Sequence, residues 1–326
     1  MPVTDDPGSV LADVARRWRH FAELEAPVRS PHYARLAAGL AGDDDLLGFL
    51  AALPPLKCQP NLLLGVLALL HGRAATDPDE LRRWVLDDAD RVRAEVLARS
   101  TQTNEPARCA ALLPAIADLP GPLALIEVGA SAGLCLHPDR YAYDYRPGGS
   151  IGDSPVRITC AVTGSPPLPA RLPEVAVRVG IDLNPLDPAA DADWLRALVW
   201  PGPGHDERVQ RLGAAAGIAA QEPARMIAGD LVDALPAVVA GLPAGVTPVV
   251  LHTAVLTYLP ADRRSAFVDL VRGLPVRWVS QEGPGVLAEI PVPDRAEDDE
   301  RFLLAVDGCP VAWTAPHGGA LDWLPG

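Results

Sequence analysis

The sequence predicts an α/β protein, an all-helical first third followed by a mostly parallel sheet that finishes in an antiparallel hairpin. Three observations carry that expectation. Up to about residue 118, apolar residues recur at intervals of three and four, the period of amphipathic helices. From Leu123 onward, short apolar runs end repeatedly in polar or glycine-rich pairs, as buried parallel strands do where their carboxyl ends face a crevice. Near the end, Phe302 to Val306 and Val311 to Thr314 flank Asp307-Gly308, a turn pair preferred in hairpins.

The elements follow in order. Leu11, Val14, Trp18, Phe21 and Leu24 mark one helical stripe, residues 43–53 a second helix, and the nearly continuous apolar run 61–70 a third. Leu81, Trp84, Val85, Val92 and Val96 form a longer stripe, with Pro54-Pro55, Pro60 and Asp77-Pro78 as breaks. A helix is expected from Thr103 to about Ala117, closed by Leu119-Pro120-Gly121-Pro122. The domain junction is placed there, giving a helical domain over 1–118 and a sheet domain over 119–326.

Residues 123–136, LALIEVGASAGLCL, predict a central strand, a glycine turn and a helix start. The alternation of Tyr141, Tyr143 and Tyr145, followed by Arg146-Pro147-Gly148-Gly149 and the run 156–162, predicts a hairpin inserted at about 138–174. Strands are then expected over 175–181, 225–228, 246–251 and 276–280. Helices are expected over 194–200, 207–220, 231–239 and along Phe267, Leu270, Val271 and Leu274.

Composition narrows the function classes. The 326 residues carry 28 basic and 42 acidic side chains, a net charge of −14 that repels a phosphate backbone, so no nucleic-acid partner is expected. No apolar run reaches the length of a membrane span, and the acidic start lacks a basic region followed by an apolar one. The expectation is therefore a cytoplasmic protein without a membrane partner. Five cysteines with no C-x-x-C pair, and histidines without H-x-x-x-H spacing, support neither a disulfide framework nor a metal site.

Gly129-Ala130-Ser131-Ala132-Gly133 admits two chemistries. It fits the G-x-S-x-G nucleophile elbow, which would need Asp230 or Glu282 as the acid and His252 or His317 as the base. It also suits a cradle for a cofactor, since small residues let another group approach the backbone. The polar strand ends, Glu127 to Gly133, Asp182 to Asn184, Gly229-Asp230, His252-Thr253 and Gln281-Glu282, are the candidate site list.

That series resembles the layout of class I S-adenosylmethionine-dependent methyltransferases, whose sheet is Rossmann-like and ends in an antiparallel strand pair. The stretches TQTNEPARCAALLP, LIEVGASAGL, IDLNPLD and AWTAPHGGALDWL resemble, more narrowly, an uncharacterised family of high-GC bacteria known as a domain of unknown function. The first resemblance implies S-adenosylmethionine as cofactor and methyl transfer to a small molecule. It implies that Glu127, Gly129, Ser131 and Gly133 hold the amino-acid part, Asp182 and Asn184 the ribose and Asp230 the adenine. His252 would accept the substrate proton, and Glu282 would orient a substrate amine or hydroxyl. Asn104, Glu105, Arg108 and His317 complete the list as substrate-binding candidates, with the helical third as a lid or substrate wall. A serine hydrolase using Ser131 and a non-catalytic binding protein on a degenerate scaffold are the alternatives.

Overall fold

The computed structural model describes residues 7–295 and 300–325, so residues 1–6 of the acidic start lie outside the described residues. The chain divides into two compact units. One holds the chain up to Thr103 together with Asp191–Gln210, and the other holds Asn104–Ala190 and everything from Arg211 onward. The boundary thus falls at 103/104 rather than at the proline-glycine break, because the segment from Asn104 to Ile116 bonds and packs within the sheet unit.

In the helical unit, α1 (Pro7–His20), α2 (Pro31–Leu40), α3 (Asp44–Ala51), α4 (Pro60–His71), α5 (Pro78–Leu86) and α6 (Ala89–Ala98) are joined by the short helix Ala192–Ala197. Trp18, Phe21, Leu36, Leu40, Leu46 and Leu50 are buried; of the first expected stripe Val14, Trp18 and Phe21 are buried, whereas Leu11 and Leu24 are exposed. Asp43 caps α3 by accepting the Asp45 and Leu46 N–H groups, and Asp77 caps α5 through the Glu80 N–H. Gly72 ends α4 at φ 69°. The long stripe from Leu81 to Val96 is two helices broken at Asp87-Asp88. The helix Pro31–Leu40, capped by Ser30, has no counterpart in the sequence expectations.

In the sheet unit, β1 (Leu123–Val128), β2 (Ala142–Arg146), β3 (Gly149–Ile151), β4 (Arg157–Thr163), β5 (Val175–Asp182), β6 (Arg225–Ala228), β7 (Thr247–Thr253), β8 (Arg277–Glu282), β9 (Phe302–Val306), β10 (Cys309–Thr314) and β11 (Ala320–Trp323) form one mixed sheet. The order is β3-β2-β4-β11-β10-β9-β8-β7-β1-β5-β6. The stretch β6-β5-β1-β7-β8 is parallel throughout, with the first strand at its centre, so the chain switches direction across the sheet between β5 and β7. The expected hairpin at the C-terminal end is present as antiparallel β9 and β10, with β9 against β8. Among the described residues no helix is long and apolar enough to cross a membrane.

Two local expectations fail for identifiable reasons. No α-helix follows the glycine turn. Leu134–Leu136 make one 3-10 turn, Pro138 withholds the N–H that a continuing helix would need, and all three turn residues are buried as core. The inserted hairpin pairs differently too. The tight turn at Pro147-Gly148 joins β2 to β3, and β4 then lies parallel on the other edge of β2, which makes the insertion part of the main sheet.

Register decides which side chains share a face. Glu127 stands beside Gly180 and Leu251, and Thr253 beside Gln281, so alternation puts Glu127, Asp182, Thr253 and Gln281 on one face. His252, Ser280 and Glu282 point to the other. That second face carries the apolar cluster of Ile126, Val128, Val250, Phe267, Val268 and Trp278 under the helices Leu231–Ala240 and Ala261–Gly273. The helix α7 (Cys109–Ile116) packs on β4, β8 and β9.

Candidate functional site

The glycine turn is built on positive φ angles at Gly129 (71°), Ser131 (52°) and Gly133 (70°). Ser131 pays the usual left-handed penalty of a residue with a Cβ, and its backbone explains why it persists: its N–H donates to Asp182 Oδ2 at 2.8 Å. The other Asp182 oxygen accepts the Asn184 N–H at 2.8 Å. The carboxylate at the end of β5 thereby holds the turn after β1. Between Asp182 and Asn184, Leu183 is 77% exposed, a large apolar side chain standing at the edge of this arrangement.

Glu127 sits below the turn, 1% exposed, and its Oε2 has no hydrogen-bond partner among the described residues. Burial pushes its carboxyl well above the usual carboxylate range. Cys135 and Asp182 add to the shift, and Arg108 opposes it. On the same face Gln281 is fully buried. Its Nε2 donates to Thr314 Oγ1 at 2.7 Å, while its Oε1 has no partner among the described residues. Two buried acceptors without a donor among the described residues are therefore the notable chemistry of this face.

The polar residues of the first motif converge on the same region. Arg108, 6% exposed, donates from Nη1 to the Thr253 carbonyl and hydroxyl at 3.1 Å each, and from Nε to the Pro316 carbonyl at 3.0 Å. Asn104 Oδ1 accepts the Leu134 N–H at 2.8 Å. Glu105 Oε1 accepts from the Ala107 N–H and from Arg211 Nε at 2.9 Å. These residues act as ties: they join the start of α7, the end of β7, the turn after β1 and the β10–β11 loop. His317 stands in that loop, half-buried, next to Gly318, where any Cβ would lie 1.9 Å from the Ala107 carbonyl oxygen.

His252 does not face this group. It is fully buried on the opposite face, its Nδ1 at 2.8 Å from Glu282 Oε1 and its Nε2 at 3.0 Å from Trp278 Nε1. The indole N–H can only donate, so Nε2 accepts and the imidazole proton resides on Nδ1, pointing at Glu282. Glu282 Oε1 also accepts the Val255 and Leu256 N–H groups at 3.0 Å each. The histidine expected to take a substrate proton is engaged at both nitrogens inside the core, and it pins the end of β8 to the segment after β7. Asp230 is likewise engaged, accepting the Val232 N–H at 2.8 Å as the cap of the helix Leu231–Ala240 and pairing with Arg263.

Sequence reasoning passed over Arg211, Leu183 and His137, because each acquires its character from a distant neighbour or from burial. His137 is fully buried, with no partner at either ring nitrogen among the described residues. Burial first, then the charges of Arg178 and Arg140, lower its pKa to about 4. The unfolded chain takes up this proton near the ordinary histidine value, so the stability tied to His137 is present above roughly pH 6.5 and is lost as pH falls through about 4. Urea denaturation between these limits should register a loss of about 3 kcal/mol in the native chain that His137→Phe removes. An unchanged pH slope in the variant would refute the assignment.

Comparison with known proteins adds three facts. Residues 15–323 match the family model described as "Uncharacterized protein conserved in bacteria (DUF2332)". No curated protein matches. A crystal structure described as a possible exported protein from Bordetella parapertussis is 16% identical over 88% of this chain and 73% of that one, at a TM-score of 0.28.

Proposed function

The chain belongs to this uncharacterised bacterial family, and on that premise we propose that it is an S-adenosylmethionine-dependent methyltransferase acting on a small molecule. The observation that carries the proposal is the orphaned Glu127 Oε2, a buried acid oxygen beside the glycine turn and on the same face as Asp182. A buried carboxyl with one oxygen lacking a hydrogen-bond partner among the described residues suits the ammonium of an amino-acid ligand, which would supply that hydrogen bond and a further positive charge. When bound, the cofactor supplies an electrophilic methyl group on a positively charged sulfur.

The residues present fit that group. Glu127 would receive the ammonium, and the positive-φ turn at Gly129, Ser131 and Gly133 brings backbone close to it. Asp182 would face two ribose hydroxyls as an acceptor, its orientation fixed by its bonds to the Ser131 and Asn184 N–H groups. Leu183 would give the base an apolar wall in place of water. On the acceptor side, Gln281 Oε1 would take an N–H or O–H of the substrate, with Arg108 and Thr253 holding the surrounding chain. A nucleophilic Ser131 is the weaker reading. The residue is only 3% exposed, and its turn runs into a three-residue 3-10 turn rather than the helix that follows an elbow.

Calorimetry with S-adenosylmethionine and S-adenosylhomocysteine tests the proposal. Micromolar binding is expected, weakened roughly tenfold or more in Glu127→Gln and in Asp182→Asn, each of which removes a charge-assisted contact. No heat from either ligand would overturn it in favour of a non-catalytic scaffold.

A further inference from the structure

Glu127 is buried, and its Oε2 meets no donor among the described residues. The charged and titratable groups around it are bonded elsewhere. Arg108 is engaged by the Thr253 and Pro316 carbonyls, and Arg178, on the same face of β5, by the Leu136 carbonyl and Asp139. Asp182 accepts two backbone N–H groups. The thiols of Cys109 and Cys135 donate to the Cys135 and Glu105 carbonyls, and the Tyr141 hydroxyl donates to the Leu134 carbonyl. An ionised carboxylate in this place would give up water without gaining a donor at Oε2, a cost that the neutral acid largely escapes.

Resting on the cofactor reading above, we infer that Glu127 is kept as a neutral carboxylic acid in the ligand-free protein and releases one proton to solvent when the ligand's ammonium reaches it. The step balances. The acid O–H bond breaks, the ligand nitrogen keeps its three protons, and a carboxylate–ammonium pair replaces a neutral acid and a hydrated cation. Burial, with Cys135 and Asp182 adding to it and Arg108 opposing it, pushes this carboxyl well above the usual range, the direction that a stored proton requires. Affinity then depends on pH. Below roughly pH 8, where an α-amino group carries its charge, the affinity rises about tenfold per pH unit. Above that range the amine arrives neutral and takes the acid's proton itself, so the dependence levels off.

Two measurements need no ligand. Glutamine is close in shape to the neutral acid, so Glu127→Gln should fold, and urea denaturation from about pH 5 to 7 compares it with the native chain. The unfolded glutamate loses its proton near about pH 4.3 while the folded one retains it, so native stability falls relative to the variant as pH rises. The ratio of the two unfolding constants should grow about tenfold per pH unit, and parallel profiles would overturn the neutral acid. The native chain reports without any variant: at neutral pH its infrared spectrum should carry the carbonyl band of a protonated carboxyl group, and absence of that band is equally fatal. Calorimetry with S-adenosylhomocysteine at about pH 6.5, in buffers of different ionisation enthalpy, then reads the linkage as one proton released per ligand bound. Binding without release overturns this inference and leaves the cofactor reading standing. No binding, in a chain whose Glu127 is neutral by the first measurements, overturns the cofactor reading and the linked release with it.

Discussion

Gly129→Ala is expected to lower the unfolding free energy by about 3 kcal/mol or more, the sum of a left-handed backbone penalty and an overpacked contact. At φ 71° a Cβ on residue 129 would lie 2.2 Å from Val255 Cγ2 and 2.6 Å from Cγ1. Val255 has little room to retreat, because its N–H and that of Leu256 are both held by Glu282. The two contributions separate in a double-variant cycle by urea denaturation. Val255→Ala added to Gly129→Ala should restore the overlap term but not the backbone term, so the pair is less destabilising than the sum by about 1 kcal/mol or more. Strict additivity would mean that Val255 does not seat on the glycine turn. Val255, in the segment just after β7, occupies the space a side chain at residue 129 would need, and its own N–H is held by Glu282.

Arg108→Met should cost about 4 kcal/mol by the same measurement, within the range found when one partner of a buried charged network is removed. The loss leaves the Thr253 carbonyl and hydroxyl and the Pro316 carbonyl without the guanidinium that satisfies them. It also removes the positive charge that opposes the upward shift of Glu127. Pairing Arg108→Met with Glu127→Gln distinguishes a charge role from a packing role. If Arg108 stabilises Glu127, the double variant is less destabilised than the sum, with a coupling of about 1 kcal/mol or more. If Arg108 only ties carbonyls, the two effects add.

Much of the architecture was legible in the letters. The strand ends after residues 128, 181, 228 and 251 follow from apolar runs that stop at polar or glycine residues, and β1, β5, β6, β7 and β8 lie where those runs lie. The closing hairpin followed from Asp307-Gly308, which occupies left-handed φ angles of 50° and 81°. The motif residues Asn104, Glu105 and Arg108 proved to be in one neighbourhood with the loop around His317, although 208 residues separate Arg108 from Pro316. Composition predicted polarity at these positions but not its use. A tie between segments and a ligand contact draw on the same side chains, and only the partner tells them apart.

The sequence by itself determined the element types, the order in which they arise and the list of polar strand ends, because local periodicity and turn chemistry depend on residues a few positions apart. Tertiary structure alone decided which of those strand ends act together. Alternation says that residues 252 and 282 each lie opposite their chain neighbours, but the face of one strand is matched to the face of another only by register. Pairing Glu127 with Leu251 rather than with its neighbour separates His252 and Glu282 from Glu127, Asp182 and Gln281, and so turns one predicted site into two faces of a sheet.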